Sequence, residues 1–431
     1  MKKHLLGGDT QKVFRGMLTL ALGSGAGKLI ALAAMPILTR LYTPEDFGAL
    51  AVFTTLVALL VPIATLRYVI ALPLPRHDGT AMNLLVLSLG LMTGLTALFT
   101  LVIAYLGEPL LTALSMEVLV PFWWLIALAI FGAAAYETLS MWATRKRAYK
   151  LIAQTNITQN AAGAGVKILL GLIALQPLGL LIGQVAAQSV GITRIMRNLR
   201  EDLVANTRHI RLYRISLVAR KYIAFPLWRV PSQFALIFSM QAPILFVAAL
   251  YSAEIVGQFS LATAVIAAPA GLIGINTARA FYAEASALGR NRTAEIRAMF
   301  LSVIKRLAIA SLIPMVILFL FGEVIFSLVF GADWAIAGSF SQALSIYIFF
   351  QFIHMPVGRV FDLLAGQRQY LALNLQRVGL TLLAPILSAS LDLPALQFVW
   401  IYAIALSAHY AISILYALHF IDRSRKLVPS S

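Results

Sequence analysis

Cysteine is absent from all 431 residues. That excludes thiolate catalysis, disulfides and cysteine metal sites, and it leaves the redox compartment unreadable. Charge is scarce as well: Asp, Glu, Lys and Arg together make up 12% of the chain, too little polar surface to cover a water-soluble globule of this size. Acidic residues are the rarer kind, 17 against 34 basic. The sequence has no glycine-rich phosphate loop of the ATPase type and no His/Asp/Glu cluster with metal spacing, so neither ATP-driven chemistry nor a metal site is expected. No stretch is long and polar enough for a soluble catalytic domain, and an enzyme is not expected. No cofactor is implied.

Hydrophobic residues are what the chain does have, 60% of the total with a mean hydropathy of +0.86. Such a composition belongs in a bilayer. The net charge of +17 would suggest nucleic acid in a soluble protein. Here the basic residues fall in short connectors between apolar runs, which is the pattern that sets membrane orientation, so nucleic-acid binding is rejected.

Apolar runs long enough to span a membrane, about 20 residues each, fall at residues 14–38, 47–72, 81–106, 118–142, 152–174 and 177–197. A second set falls at 222–249, 253–279, 298–321, 334–358, 370–391 and 394–421. Long unbroken runs favour helices over an outer-membrane barrel. The first span has a basic leader and an Ala31-Leu32-Ala33 stretch like a cleavage site, but its run exceeds a signal core and it has a counterpart in the second half. It is expected to be retained.

That counterpart reflects an internal repeat. Leu41-Tyr42-Thr43-Pro44-Glu45-Asp46-Phe47-Gly48 recurs as Leu250-Tyr251-Ser252-Ala253-Glu254-Ile255-Val256-Gly257, each copy closing one apolar run and opening the next. Six spans per half means that both halves enter the membrane from the same side. The expected fold is therefore an all-α polytopic membrane protein, with 12 transmembrane helices in two six-helix lobes related by a pseudo-twofold axis along the membrane normal. The expected lobes are residues 1–197 and 222–431. Residues 198–221 carry Arg200, Arg208, Arg211, Arg214, Arg220 and Lys221 among Leu203, Ile210, Leu212, Tyr213 and Leu217, and read as a cytoplasmic basic amphipathic linker.

Charge orients the bundle. One set of connectors holds Lys2, Lys3, Lys12, Arg15, Arg76, Arg145, Lys146, Arg147, Lys150, the cluster from Arg194 to Lys221, Arg290, Arg292, Arg297, Arg368, Arg423, Arg425 and Lys426. The alternating set holds Glu45, Asp46, Glu108, Glu117, Glu254, Glu323, Asp333 and Asp392, with Arg40 its only basic residue. The basic set is expected to face the cytoplasm, with both termini inside.

Ionisable groups within spans cost about 2.5–3.5 kcal/mol each on insertion scales, so they are usually paired or hidden in a cavity. Lys28 and Lys167 are deep. Arg229 and Arg377 lie inside the ends of their spans, while Arg67 and Arg279 lie at span ends, Arg279 one turn beyond Asn276, the repeat counterpart of Arg67. For the four arginines, snorkelling to lipid phosphates competes with a role in a cavity. Glu137 reads as the intramembrane carboxylate, there to pair with a cation or to carry a coupling proton, and His354 and His409 are the remaining coupling candidates. Proton and sodium coupling both stay open. Pro36, Pro62, Pro243 and Pro269 sit at matching depths in the two halves, as packing kinks or hinges. Gly23, Gly25, Gly27, Gly163 and Gly165 are expected to permit close helix packing.

Several stretches together resemble one family. Leu66-Arg67-Tyr68-Val69-Ile70-Ala71-Leu72-Pro73-Leu74-Pro75 with Ala81-Met82-Asn83-Leu84-Leu85, Trp142 with Arg145-Lys146-Arg147 and Ala153-Gln154, Gly179-Leu180-Leu181-Ile182-Gly183-Gln184, and Phe330-Gly331-Ala332-Asp333-Trp334-Ala335-Ile336-Ala337-Gly338 look like bacterial polysaccharide flippases of the Wzx type. The resemblance covers nearly the whole chain. Relatives often carry an acid two residues after the arginine matching Arg67, where this chain has Val69, so a neighbouring carboxylate for Arg67 is not implied.

What the resemblance implies is the multidrug/oligosaccharidyl-lipid/polysaccharide exporter superfamily: a flippase in the bacterial inner membrane that moves an undecaprenyl-diphosphate-linked oligosaccharide to the outer leaflet by alternating access. The product would be O-antigen, capsule or exopolysaccharide, with a polysaccharide polymerase or glycosyltransferases as partners beside the lipid bilayer. Lys28, Arg67, Lys167, Arg229, Arg279 and Arg377 would bind the diphosphate, since cations suit an anion whose desolvation otherwise prevents its crossing. Gln154, Asn156, Gln159, Asn160 and Gln233 would contact sugars. A cation-coupled multidrug exporter of the same superfamily is the main alternative, and a membrane-embedded polysaccharide polymerase or ligase a further one.

Overall fold

Prolines stand at several helix starts, among them Pro44, Pro177 and Pro356. In the computed structural model, residues 5–269, 274–289, 291–364 and 366–427 are described. Lys2, Lys3 and Arg290 lie outside them, as do the side chains of Lys12, Arg15, Pro269, Asn276, Arg279, Arg425 and Lys426. The described residues contain α-helices and no strand. They divide into two compact units, Met1–Ala249 and Leu250–Ser431.

The first unit contains α1 (Leu5–Leu41), α2 (Pro44–Ala64), α3 (Asp78–Ala113), α4 (Trp123–Arg145), α5 (Tyr149–Leu172), α6 (Leu178–Thr207), α7 (Leu212–Lys221) and α8 (Val230–Leu250, whose last residue falls in the second unit). The second contains α9 (Ala253–Pro269), α10 (Ile275–Leu288), α11 (Thr293–Phe330), α12 (Ala335–His354), α13 (Val357–Leu363), α14 (Gln367–Leu391) and α15 (Ala395–Leu427). Ten helices among the described residues are long and apolar enough to cross a membrane, and 253–268 is a shorter apolar helix. The remaining expected span, α5, lies where expected but falls short in hydropathy because it carries Gln154, Asn156, Gln159, Asn160 and Lys167.

The repeat motif is a helix-start device. Thr43 accepts from the Asp46 amide (3.3 Å) while the Asp46 carboxylate accepts from the Thr43 amide (2.9 Å), a capping box with Pro44 in the first turn of α2. At the equivalent place in the second copy, the Ser252 hydroxyl accepts from the Ile255 amide at 3.4 Å. The tyrosine before each cap is a strap: Tyr42 donates to the Lys167 carbonyl (2.7 Å), and Tyr251 to the Leu393 carbonyl (2.8 Å).

One expected span is interrupted. The run 47–72 leaves the helix after Ala64, because Leu66 and Arg67 take positive φ (42° and 55°) before a short 3₁₀ turn over Tyr68–Ala71. The run 253–279 is helical over Ala253–Pro269 and from Ile275 onward, the residues described in it. Others overrun: α11 has 38 residues, about 57 Å at 1.5 Å per residue, well beyond a hydrocarbon core of about 30 Å. Residues 198–221 form the last turns of α6 and the whole of α7.

Apolar side chains gain little by meeting each other in lipid, so close backbone approach has to hold such a bundle. In the first unit α5 packs on α1 and α6, and α4 packs on α2, α3 and α6. Gly23 abuts Ala153, Gly27 abuts Asn156 and Asn160, and a Cβ on Gly163 would lie 2.5 Å from that of Ala187. Gly165 differs from expectation. It faces open space, because it lies two residues round the helix from the contact that Gly163 makes.

An ion-pair cluster ties α4 to its neighbours at the Arg145 end. Arg145 donates to Asp78 through Nε (2.9 Å) and Nη2 (2.7 Å), and Lys146 bridges Asp78 (2.7 Å) and Asp202 (2.6 Å). Buried Trp142 donates its indole N–H to Asp202 at 2.9 Å. Burial works against the Lys146 ammonium, but hydrogen bonds and charge from Asp202 and Asp78 outweigh it and hold its pKa above the ordinary 10.5. A raised folded-state pKa gives a contribution that is complete below the unfolded value and fades as pH rises through the folded one, so the cluster holds at neutral pH. Asp78→Ala leaves Arg145 without a carboxylate and Lys146 with Asp202 alone, and is expected to lower stability by about 1–3 kcal/mol, read as a lower melting temperature of the detergent-solubilised protein.

In the second unit α12 packs on α9, α11 and α15. Fully buried Gln258 bolts α9 to the turn before α12: it donates to the Asp333 carbonyl (2.6 Å) and accepts from the Ala337 amide (2.8 Å). Phe259 packs edge-on against Phe340 and Tyr402, and Phe398 stacks on Tyr402.

Candidate functional site

The break after α2 makes a polar cavity. Pro62 lacks an amide hydrogen, which leaves the Ala58 carbonyl without its helical donor, and both residues line a cavity of about 470 Å³ in the first unit. The chain then turns through Leu66 and Arg67 in left-handed geometry that β-carbon residues rarely adopt. This turn carries Arg67 across to α4, where its Nη1 meets Glu137 Oε1 at 2.7 Å. The Arg67 and Glu137 side chains keep only 12% and 23% of their exposure. Arg67 Nε and Glu137 Oε2 are buried with no hydrogen-bond partner.

The rest of the wall comes from three elements. Thr54 lies on α2, Gln184 and Gln188 lie one turn apart on α6, and Gln241 lies on α8, where it donates to Thr55 at 3.2 Å. Gln184 accepts from the Lys167 ammonium at 2.9 Å, connecting that lysine to the cavity. Close packing of α5 on α6 enforces the approach: a Cβ on Gly183 would collide with the Lys167 side chain and sit 3.0 Å from the Gly163 carbonyl. Gly183→Ala is therefore expected to part the two helices and lower the melting temperature, with Gly165→Ala, which meets nothing, as the silent control.

The other residues expected at a site are distributed as follows. Lys28 and Arg229 are exposed and make no ion pair among the described residues. Arg377, in the second unit, lies 6.0 Å from the Tyr410 ring, with its Nε buried and unpartnered. His354 and His409 pack on the same tyrosine, with ring centroids at 4.7 and 5.3 Å, and Gln351 donates to Tyr347 and Tyr410. Of the five amides expected at sugars, three bond to neighbouring helices and one within its own. Gln154 accepts from Arg194 (2.8 Å), Asn156 joins Ser24 and Tyr136, buried Gln159 donates to the Gln188 carbonyl, and Asn160 donates to the Asn156 carbonyl. Gln233, on α8, is half-buried. Pro36 and Pro243 lie inside α1 and α8.

Sequence reasoning left out Thr54, Gln188 and Gln241, and named Gln184 only within a motif. The four-residue step from Gln184 to Gln188 on an apolar helix was the signal available for two of them. Among the described residues no group of three or more His, Asp or Glu is placed to hold a metal.

The same fold occurs in solved structures. The chain superposes on the lipid II flippase MurJ in its inward closed conformation with a TM-score of 0.71 at 11% identity, covering 95% of this chain and 90% of that one. An inward-facing multidrug resistance MATE family transporter of the MOP superfamily matches at 0.57 and 18% identity over 96% of each chain. A MOP superfamily transporter from Pyrococcus furiosus matches at 0.58 and 16% identity, over 95% of this chain and 96% of that one. No curated protein matches the chain. These likenesses show the all-α polytopic transporter fold that the repeat and the apolar runs led us to expect. Residues 37–338 match the family described as polysaccharide biosynthesis protein, and the chain belongs to that family.

Proposed function

We propose that this protein is a flippase that carries an undecaprenyl-diphosphate-linked oligosaccharide from the cytoplasmic to the outer leaflet of the bacterial inner membrane. The observation that carries the reading is the Arg67 and Glu137 pair facing a polar cavity inside an otherwise apolar bundle, in a chain of the polysaccharide biosynthesis family. An isolated guanidinium in a bilayer is costly, and a carboxylate partner holds it until an anion arrives. The unpartnered Arg67 Nε–H is the group a diphosphate oxygen would meet first, and exchange of partners would leave Glu137 free to take up a proton. Lys167 is within reach through Gln184, while Lys28, Arg229, Arg279 and Arg377 are proposed as further cationic contacts along the route. Alternating access would bend α1, α2, α8 and α9 at Pro36, Pro62, Pro243 and Pro269.

The test is complementation of a flippase-deficient strain, scored as surface glycan. A cation-coupled drug exporter is kept as second reading because the MATE likeness shares this fold and Glu137 lies in a cavity. Drug efflux without glycan export in the same strain would favour it.

Orientation has its own check, helped by the lack of native cysteine. Ser115→Cys, in the turn after α3, is expected to react with an impermeant maleimide added outside, and Ser424→Cys, near the end of α15, to stay unlabelled. Reversed labelling would end the proposed topology.

A further inference from the structure

Helix α7 is held rigidly but leaves most of its basic and apolar side chains unused. Fully buried Asn83 on α3 donates to the His209 carbonyl (3.0 Å) and accepts from the Arg211 amide (3.0 Å), fixing the start of α7 against the first turn of α3. Val218 is buried among Tyr68, Leu72 and Trp142, and Tyr68 donates to the Ala219 carbonyl at 3.0 Å. The outer face is different: Leu212 is 87% exposed and Leu217 58%. Arg211, Arg214, Arg220 and Lys221 are exposed and make no ion pair among the described residues. The nearby carboxylates are already taken, Asp78 by Arg145 and Lys146, and Asp202 by Lys146 and Trp142.

Between α7 and the first turns of α3 lies a second cavity of about 330 Å³, distinct from the one at Arg67. Thr80, Asn83, Tyr213, Arg214, Leu217 and Lys221 line it. Arg214 and Lys221 reach it from two turns of one helix. Tyr213 orients Arg214, accepting from its Nε at 2.9 Å. Thr80 lies in the opening turn of α3, where the helix dipole favours an anion; its own amide donates to the His77 carbonyl (3.1 Å), which leaves the hydroxyl to meet a ligand.

We infer that this cavity is a binding site for an anionic phospholipid of the inner leaflet, with the headgroup phosphate held by Arg214, Lys221 and Thr80 and the acyl chains lying along Leu212 and Leu217. Charge complementarity decides for an anionic headgroup over a zwitterionic one. The exposed leucines beside the cations decide for a lipid over a soluble anion, because a soluble anion has no use for an apolar flank. Neither cation belongs to the Arg67 cavity, so the site stands whether or not the transport reading does.

The experiment is native mass spectrometry of the full detergent-solubilised chain, titrated with phosphatidylglycerol or phosphatidylcholine. Phosphatidylglycerol is expected to bind the unmodified protein at least tenfold more tightly, with the preference shrinking as salt is raised. Arg214→Gln combined with Lys221→Gln is expected to weaken it about thirtyfold, about 1 kcal/mol for each charge, and to leave phosphatidylcholine unaffected. Both side chains are exposed and unpaired, and the salt titration of the unmodified protein tests the proposal without any variant. Equal affinity for the two lipids, or undiminished phosphatidylglycerol binding by the double variant, overturns it. Displacement by inorganic phosphate at matched concentration would reveal a soluble-anion site, and stronger displacement by undecaprenyl diphosphate would assign the cavity to substrate. Either result also overturns it.

Discussion

Arg67→Ala is expected to lower glycan export about tenfold to a hundredfold and to destabilise the protein as well. The transport loss follows from removing a charge-assisted contact to phosphate, about 1.5–3 kcal/mol, at about 1.4 kcal/mol per factor of ten. The stability loss has another origin. Glu137 keeps only 23% of its exposure, and truncating its partner strands a buried carboxylate, at a cost of about 3–5 kcal/mol. The two effects separate in a double variant, Arg67→Leu with Glu137→Leu, which removes both charges and is expected to recover the melting temperature but not export. Export regained alongside stability would reduce the pair to a structural device. Arg67→Lys is expected to fall between, because an ammonium cannot reproduce the bidentate grip of a guanidinium.

The second large effect is expected from the deep lysines. Lys167→Gln and Lys28→Gln should each abolish export with the protein still inserted at normal abundance. Lys167 donates to Gln184 on the cavity wall, and a glutamine there can keep a hydrogen bond while losing the charge. Lys28 is exposed and without an ion pair among the described residues, so neutralising it removes little that holds the fold. Complementation assays with membrane abundance measured in parallel decide the matter. Full export by the double variant at normal abundance would take both lysines out of the mechanism.

Helix positions were legible in the sequence because a bilayer imposes a length, and the repeat fixed the pairing of Tyr42 with Tyr251 and of Thr43 with Ser252. Interruptions were less legible. Nothing in Leu66-Arg67 announces positive φ, since neither residue favours it, and that turn brings Arg67 to Glu137. The absence of an acid at Val69 was visible, but the carboxylate that takes its place is 70 residues away, a tertiary fact. The amides of α5 carry a related ambiguity. A polar helix face in a membrane reads the same whether it meets sugar or another helix, and here Gln154, Asn156 and Gln159 bond to neighbouring helices while Asn160 bonds within α5.

That face of α5 bears on how the chain enters the membrane during synthesis. The insertion machinery sorts each emerging segment by its own hydrophobicity, and α5, with Gln154, Asn156, Gln159, Asn160 and Lys167, is less apolar than the helices before it. Its polar groups are satisfied by Ser24 of α1 and Tyr136 of α4, already made, and by Gln184 and Gln188 of α6, still to come. The segment from Tyr149 is therefore expected to linger beside the translocon until α6 follows, the pair then partitioning as one hairpin. Lesions in α6 would accordingly surface as failed insertion of α5, with the ribosome-bound chain degraded before any transport could be measured.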